Sequence, residues 1–213
     1  MSRIAIINYE AGNLTSVERA VRALGFPAEI TQDPQTILGA DKVIFPGVGA
    51  AGSAMADVKR LGLDQVIREV RDKGVPLLGI CLGTQVIFDF SVEDGGTACL
   101  GLLPGRVERF RSDMSEQGFR LKVPHMGWNR VTFTREHPVF QGGTPDQEFY
   151  FVHSYYPVPA EESSAAGLTT YGITFASVIA RDNLIATQFH LEKSGRPGLN
   201  ILRNFCQWDG KNA

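Results

Sequence analysis

Short apolar runs alternate with segments of helical periodicity in the first half of the chain. Apolar residues recur at helical spacing between Leu14 and Leu24, and the same spacing over 54–71 predicts one broken helix or two short helices around Gly62. The runs that predict buried strands lie at 3–7, 28–31, 42–45 and 75–80. This alternation is typical of an α/β fold, in which a mostly parallel central sheet carries helices on both faces.

The pattern changes after about Gly101. Shorter stretches of alternating polarity at 107–110 and 131–133, with frequent Gly and Pro, predict a smaller sheet of antiparallel or mixed strands. Charged segments at 91–96 and 112–118 predict surface loops. Later strands and a closing helix are predicted at 149–152, 173–179, 184–188 and 199–206.

Length and composition narrow the class of protein. A chain of 213 residues with 43% hydrophobic and 21% charged residues fits one globular domain that spans 1–213. Its formal net charge of -2 and its short Lys/Arg runs argue against nucleic acid or an anionic membrane as a partner. The first apolar run is too short for a signal peptide or a membrane span, so we expect a cytoplasmic protein.

The segment around Cys81 predicts a reactive cysteine. The wide spacing of Cys81, Cys99 and Cys206 favours neither a disulfide framework nor a zinc site. Cys81 stands in a Gly-x-Cys-x-Gly turn between a predicted strand and a predicted helix, as in a nucleophile elbow. The helix would stabilise a thiolate, and the backbone amide of Leu82 would hold an oxyanion. A buried and inert cysteine is the alternative interpretation.

His190 is the best-placed base among the four histidines. It follows the predicted strand 184–188, so it lies at a strand's carboxyl end, as Cys81 does. Glu192 would accept a hydrogen bond from one ring nitrogen and leave the other nitrogen to face the sulfur. A cysteine, a histidine and an orienting carboxylate together form an activated-nucleophile pattern.

A glycine-rich loop at 47–52 spells Gly-x-Gly-x-x-Gly, which formally matches the dinucleotide-binding fingerprint. That fingerprint needs an acidic residue about 20 positions on, at the end of a strand. Here the distance leads to 67–69, inside helical periodicity, so we reject this interpretation. The backbone amides of Val48 and Gly49 would instead suit an oxyanion hole that faces Cys81.

Taken together, the motifs resemble those of the triad-type, or class I, glutamine amidotransferases. The segments that carry this resemblance are Pro-Gly-Val-Gly at 46–49, Gly-Ile-Cys-Leu-Gly-Thr-Gln at 79–85 and Gln-Phe-His-Leu-Glu-Lys-Ser at 188–194. Segments at 101–105, 124–129 and 150–156 are similar to those of the glutaminase subunits of imidazole glycerol phosphate synthases, from histidine biosynthesis. The resemblance runs from about residue 3 to 205 and departs from the family's usual pattern at Asn8, Glu10 and Thr84.

The resemblance implies a three-layer, flavodoxin-like domain and a thioester mechanism that uses no cofactor and no metal. Cys81 would attack the side-chain amide of glutamine, and His190 would protonate the departing ammonia and then activate water. Gln85 and the segment formed by His153, Ser154 and Tyr155 match positions that hold the amino-acid end of the substrate.

A glutaminase of this kind needs a second protein, because ammonia in neutral water is mostly protonated and no longer nucleophilic. In the resembling family the acceptor site belongs to a cyclase subunit with a (β/α)8 barrel, which makes imidazole glycerol phosphate and AICAR. The resemblance therefore implies a heterodimer. The residues that match segments facing the barrel are Asn13, Met126, Trp128 and Lys193. A core position is an alternative for Trp128 and an equal alternative for Met126.

Two further functions stay open at this point. A class I glutaminase that feeds a different synthase would carry the same triad, and only the segments 124–129 and 150–156 argue against it. A non-catalytic nucleotide-binding module that uses the 47–52 loop would bind its ligand without turnover.

Overall fold

The computed structural model describes residues 2–10, 12–116, 118–144 and 147–211. The helices within these ranges are α1 (Leu14–Ala23), α2 (Pro34–Leu38), α3 (Ala51–Arg60), α4 (Leu63–Asp72), α5 (Leu82–Gln85) and α6 (Gly195–Gln207). The strands are β1 (Ile4–Ile7), β2 (Ala28–Thr31), β3 (Lys42–Gly47), β4 (Leu77–Cys81), β5 (Phe90–Ser91), β6 (Thr97–Ala98), β7 (Gly105–Arg109), β8 (Ser115–Glu116), β9 (Phe119–Arg120), β10 (His125–Arg130), β11 (Thr132–Phe133), β12 (Glu148–His153), β13 (Tyr155–Pro159), β14 (Ala165–Tyr171), β15 (Ile173–Arg181) and β16 (Leu184–Thr187).

Within the described ranges, eight strands form the central sheet, in the order β11-β14-β15-β16-β4-β3-β1-β2. The five strands from β16 to β2 are parallel to their neighbours, and β15, β14 and β11 extend the sheet in antiparallel fashion. The register sets Gly47 at the end of β3 opposite Cys81 at the end of β4. Both residues therefore lie at the carboxyl edge of the sheet, where parallel α/β folds place their ligand sites.

Helices cover both faces of this sheet because the parallel strands are apolar on both sides. Ile4 and Ile6 of β1 belong to the core shared with α1 and α6, whereas Ala5 and Ile7 belong to the core shared with α3 and α4. Each fully buried aliphatic side chain contributes roughly 1.5–3 kcal/mol. The predicted fold, with helices on both faces of a large α/β sheet, is confirmed.

Smaller sheets lie beside the central one. The strands β13-β7-β5-β6 form a mixed sheet, and β10 pairs antiparallel with β12 along their whole length. A smaller mixed sheet was therefore predicted correctly for the second half of the chain. In the described part of the chain, no helix has both the length and the apolar character needed to cross a bilayer.

The segment 54–71 forms two helices, α3 and α4, which meet at Gly62 with a φ of 68°. The predicted strand at 42–45 continues two residues further, to Gly47. The loop predicted at 112–118 contains β8, which pairs with β9 in a short exposed hairpin. The predicted surface position is confirmed, since both strands are exposed, but the hairpin itself was not predicted because neither strand carries the apolar alternation that marks a buried strand.

Candidate active site

Cys81 occupies a tight turn between β4 and α5. Its φ of 55° and ψ of -105° lie outside the regions that residues with a side chain ordinarily adopt. A Cβ atom at Gly83 would stand 1.9 Å from the carbonyl oxygen of Phe45, and one at Gly79 would stand 3.0 Å from Cβ of Ala186. Gly83 is therefore required sterically, as the elbow pattern predicted, whereas a side chain at Gly79 would need its neighbours to move by a few tenths of an ångström.

The predicted helix after Cys81 is shorter than expected. It spans only Leu82–Gln85, a single turn, so the aligned peptide dipoles that would stabilise a thiolate are few. The helix N-terminus therefore contributes little to the stability of a thiolate at Cys81. A charged neighbour has to provide the greater part of any stabilisation of the ionised sulfur.

A cavity of about 420 Å³ lies at the carboxyl edge of the sheet and includes Cys81 and His190 in its wall. Larger cavities of about 560 and 670 Å³ are lined by residues 3–40 and 132–144 and contain neither of these two residues. Residue chemistry rather than volume therefore identifies the site. The residues predicted to bind the oxyanion or the substrate all line the smaller cavity: Val48, Gly49, Leu82, Gln85, His153, Ser154 and Tyr155.

His190 is held from several sides. Its Nδ1 atom lies 2.8 Å from Oε1 of Glu192, and its backbone N–H donates to the carbonyl oxygen of Tyr150 at 3.0 Å. The hydroxyl of Ser194 donates to the carbonyl oxygen of His190 at 2.5 Å. The ring is thus fixed with Nδ1 on the carboxylate and Nε2 as the remaining nitrogen, as predicted from the His-x-Glu spacing.

The electrostatics favour a charged imidazole. Burial by itself lowers the pKa of His190, but the neighbouring sulfur of Cys81 and the carboxylate of Glu192 outweigh it and raise the pKa to about 9. Nε2 is buried and makes no hydrogen bond of normal geometry to any described residue. The sulfur of Cys81 raises the pKa of His190 both as a hydrogen-bond acceptor and through its charge, and an imidazolium beside a cysteine stabilises its thiolate.

Asn13 lies next to His190 and Glu192 and is not confined to the outer surface. Its Nδ2 atom donates to Oε1 of Glu192 at 2.8 Å, the same oxygen that binds His190. Asn13 has a left-handed backbone with a φ of 70°, a conformation that asparagine tolerates better than most residues. Sequence reasoning assigned Asn13 to a partner surface and missed this contact with the carboxylate.

Two further residues of the site were not predicted. The Nε2 atom of Gln188 approaches the Cys81 sulfur at 3.9 Å, and its Oε1 atom accepts from Nε2 of Gln85 at 3.1 Å. The carboxylate of Glu93 lines the cavity and accepts from the backbone N–H of Ala51 at 2.7 Å. Burial raises the pKa of Glu93. The sequence signals for Gln188 were its position two residues before His190 and its place at the start of the 188–194 segment.

The loop prediction for 91–96 was wrong with respect to Glu93. Residues Glu93–Gly95 form a short 3₁₀ turn that folds against the N-terminus of α3, and Glu93 is half-buried at the cavity. A run of charged residues usually marks a solvated loop, and nothing local in the sequence distinguishes a carboxylate that turns inward.

The amide of Gln85 has a fixed orientation. Its Nε2 atom donates both hydrogens, to the carbonyl oxygen of Tyr155 at 2.9 Å and to Gln188 at 3.1 Å. A side-chain amide has two N–H donors, so Gln85 can offer a ligand only its carbonyl oxygen. The predicted substrate-binding residue is thus limited to the role of a hydrogen-bond acceptor.

The glycine loop stands beside the elbow. A Cβ at Gly47 would lie 1.9 Å from the hydroxyl oxygen of Tyr9, and Gly49 has a φ of 102°. Val48 between them is 37% exposed. The positions 67–69, where a dinucleotide site would need an acidic residue at a strand end, lie inside α4. The geometry agrees with the rejection of that site.

The remaining residues assigned to a partner surface are exposed. Met126 is 62% and Trp128 is 54% exposed, on the same face of β10, and Lys193 is exposed in the turn after His190. The core alternative for Met126 and Trp128 is therefore wrong. Trp128 contacts the ring of Tyr150, whose carbonyl group binds the backbone of His190, so these side chains lie near the catalytic candidates.

Known proteins with this fold share its overall shape at low sequence identity. A structure titled PurLQS from Thermotoga maritima superposes with a TM-score of 0.74 at 15% identity and covers 97% of this chain and 99% of that chain. A glutamine amidotransferase from the same organism superposes with a TM-score of 0.66 at 16% identity, covering 96% of each chain. Likenesses at this identity concern the fold alone.

Relatives by sequence are much closer. An imidazole glycerol phosphate synthase subunit HisH from Moorella thermoacetica is 52% identical over 205 residues, which cover 96% of this chain and 94% of the relative. Its counterpart from Chromobacterium violaceum is 46% identical, with coverage of 98% and 99%. The family model for glutamine amidotransferase class-I matches residues 5–208. The chain therefore belongs to the class I glutamine amidotransferases and, within them, to the family of HisH subunits of imidazole glycerol phosphate synthase.

Proposed function

We propose that this chain hydrolyses glutamine to glutamate and ammonia, and that it delivers the ammonia to a cyclase subunit that makes imidazole glycerol phosphate and AICAR. The observation that carries this proposal is the meeting, in one cavity, of an elbow cysteine and a histidine held by a buried carboxylate. The HisH relatives, which are identical to this chain at about half of the aligned positions, support the same reaction.

Cys81, His190 and Glu192 carry the chemistry in this proposal. The Cys81 thiolate attacks the side-chain carbonyl carbon of glutamine and forms a tetrahedral intermediate. Nε2 of His190 gives its proton to the amide nitrogen, the C–N bond breaks, and ammonia leaves a thioester on the sulfur. His190 then accepts a proton from water, whose oxygen attacks the thioester and releases glutamate. A pKa of about 9 keeps His190 protonated at neutral pH, as the first step requires.

Different parts of the cavity wall bind the two ends of the substrate. The backbone amide of Leu82 and the loop at Val48 and Gly49 stabilise the oxyanion next to the sulfur. At the other end, the carbonyl oxygen of Gln85 and the carboxylate of Glu93 attract the substrate's ammonium group.

The wall segment formed by His153, Ser154 and Tyr155 lies next to Gln85 and contacts the amino-acid end of the substrate. Its backbone groups complete the recognition of that end in this proposal.

The partner in this proposal is a separate cyclase with a (β/α)8 barrel, and the two chains form a heterodimer in the cytoplasm. Two large exposed apolar side chains, Met126 and Trp128, stand beside the cavity, together with the cation of Lys193. Exposed aromatic residues and methionines are enriched in protein interfaces. Contact on this side would let ammonia pass between the sites without meeting bulk water. The chain acts in this assembly as one domain, 1–213.

The substitution Cys81→Ala tests this proposal in the complex with the cyclase. We expect glutamine-dependent synthesis of imidazole glycerol phosphate to disappear while synthesis fed by ammonium salts survives, because only the ammonia source is lost. Cys99→Ala is the matched control, since Cys99 is also buried and unpaired but lies outside the cavity. Loss of both activities in Cys81→Ala, or loss of neither, would contradict the assignment. Glutaminase activity without binding to a cyclase would point to a different synthase.

A further inference from the structure

A chain of hydrogen bonds runs from β10 to the wall of the glutamine cavity, and it begins at Asn129. The Nδ2 atom of Asn129 donates to the carbonyl oxygen of Thr170 at 3.0 Å, and its Oδ1 atom accepts from the backbone N–H of Arg130 at 2.8 Å. A carbonyl oxygen can only accept and a backbone N–H can only donate, so the amide has one orientation. The second Nδ2 hydrogen then points to Nε2 of His125, at 3.2 Å, which has to be unprotonated.

The other end of the chain is fixed independently. The carbonyl oxygen of Tyr155 lies 2.8 Å from Nδ1 of His153 and can only accept, so this nitrogen carries the hydrogen. Nε2 of His153 is therefore an acceptor in the neutral ring, and it lies 2.9 Å from Nδ1 of His125. Both ends require the same arrangement, in which each ring is neutral and carries its proton on Nδ1.

The surroundings of the two rings favour these neutral forms. His125 is 2% exposed and lies between the rings of Tyr171 and Phe151, with centroid distances of 4.0 and 4.8 Å. Burial lowers the pKa of His125 to about 4 and that of His153 to about 3. A second proton on either ring would set two N–H groups against each other. The direction of each hydrogen bond from Asn129 to Tyr155 is therefore fixed at neutral pH.

The chain continues from Tyr155 to the nucleophile. The carbonyl oxygen of Tyr155 also accepts from Nε2 of Gln85, whose other hydrogen binds Gln188, and Gln188 approaches the Cys81 sulfur. Cutting the chain at His125 would leave His153 with a buried nitrogen that has no donor, and the ring could then turn away from Tyr155. The loss would disturb Tyr155 and Gln85, at the amino-acid end of the cavity, more than it disturbs the sulfur of Cys81.

We propose that His125 and Asn129 are positioning residues for glutamine, because they hold His153 on the carbonyl group of Tyr155 and so fix the amide of Gln85. Neither residue lines the cavity. The inference rests on the proposed glutaminase function. It assigns to these two side chains an effect on the binding of glutamine rather than on the reactivity of the sulfur.

Substitutions at His125 separate this role from simple packing. In the complex with the cyclase, His125→Leu removes the donor to His153, and we expect KM for glutamine to rise about tenfold while kcat changes less than about threefold. His125→Asn places an amide N–H where Nδ1 stands and should restore most of the loss. His137→Asn is the matched control, because His137 is equally buried but lies away from the cavity. It should leave KM unchanged.

Asn129→Ala tests the same chain from its outer end and covers the case in which His125→Leu fails to fold. We expect a rise in KM in the same direction, because His125 would lose the donor that fixes its tautomer. A purely structural role predicts instead that all the variants lower the melting temperature and leave KM alone. An unchanged KM in both Asn129→Ala and a folded His125→Leu would overturn the proposal.

Nitrogen NMR of the histidine rings provides a readout that does not depend on turnover. In the wild-type complex we expect His125 and His153 to give the signature of a protonated Nδ1 and an unprotonated Nε2 between about pH 6 and 8. Both rings stay neutral over this range because their pKa values are lowered. Rings protonated on Nε2, or charged at neutral pH, would refute the hydrogen-bond chain. Correct tautomers in a protein that lacks glutaminase activity would refute the proposed function and leave the chain intact.

Discussion

The backbone of Cys81 is held in a conformation that a side chain disfavours. Its φ of 55° with ψ of -105° costs on the order of 1–3 kcal/mol for a residue other than glycine. The turn persists because β4 is paired on both sides and α5 packs closely on β3 through Gly83. In this conformation Cys81 lines the wall of the cavity while its side chain, 7% exposed, still borders the apolar core.

The carboxylate of Glu192 sets the acid–base properties of His190. In Glu192→Gln the negative charge is lost, so the pKa of His190 should fall from about 9, because the imidazolium loses a stabilising partner. We expect the alkaline limb of the pH profile of kcat/KM to move to lower pH and kcat to fall on the order of 10²–10⁴-fold, as in other triads.

The matched control for this prediction is Glu162→Gln, which neutralises an exposed carboxylate. It should leave the pH profile of glutamine hydrolysis where it is. An alkaline limb that stays near the wild-type position in Glu192→Gln would show that the carboxylate does not govern the protonation of His190.

At the scale of the element, the elbow depends on a contact that only glycine allows. In Gly83→Ala the new methyl group would meet the carbonyl oxygen of Phe45, so α5 would have to move away from β3. We expect the free energy of unfolding to fall by about 1–3 kcal/mol or more, with loss of glutaminase activity. Urea titration followed by circular dichroism measures the change in stability.

The control for this substitution is Gly52→Ala in α3, another helical glycine. A Cβ atom there would have its nearest neighbours at 3.5 Å, an ordinary contact. The alanine should leave stability unchanged or raise it by up to about 1 kcal/mol, because alanine favours helix more than glycine does. Equal effects of the two substitutions would mean that the contact with Phe45 is not what excludes a side chain at position 83.

The elements that the sequence predicts well are those whose burial is uniform along the segment. β1 and β16 are buried at every position and lie within one residue of the predicted bounds, whereas β14, with the sequence Ala-Ala-Gly-Leu-Thr-Thr-Tyr, carries too little apolar alternation to be recognised. Cys81 and His190 were recognised as candidates because each stands at or shortly after a strand end, and Glu192 because of its spacing from His190. Glu93 and Gln188 escaped because their roles arise from contacts between segments far apart in the sequence.

At the scale of the whole molecule, the buried histidines predict a maximum of stability near neutral pH. His125 and His153 have pKa values lowered to about 4 and about 3, so below the unfolded value of 6.5 the unfolded chain binds more protons than the folded one. Stability should therefore fall as the pH drops from 6.5 towards 4, by up to about 1.4 kcal/mol per pH unit for each ring.

His190 acts in the opposite direction. Its pKa is raised to about 9, so between 6.5 and 9 the folded chain holds a proton that the unfolded chain has released. Its contribution to stability is complete below 6.5 and is lost as the pH rises through 9. Urea unfolding at a series of pH values measures both limbs. In His125→Asn we expect stability to fall less steeply on the acid side, because one of the two buried rings is gone. A wild-type stability that stays level as the pH drops by about two units below 6.5 would contradict the prediction.

The two faces of β10 carry different tasks on alternate residues. Met126 and Trp128 point outward, while His125 and Asn129 point inward to the hydrogen-bond chain. Side chains in a strand alternate with a period of two, so inserting one residue would exchange the faces, whereas inserting two would preserve them. The segment from His125 to Asn129 therefore tolerates substitution on its outer face more readily than a change of length, because the hydrogen bond between those two side chains also depends on their spacing.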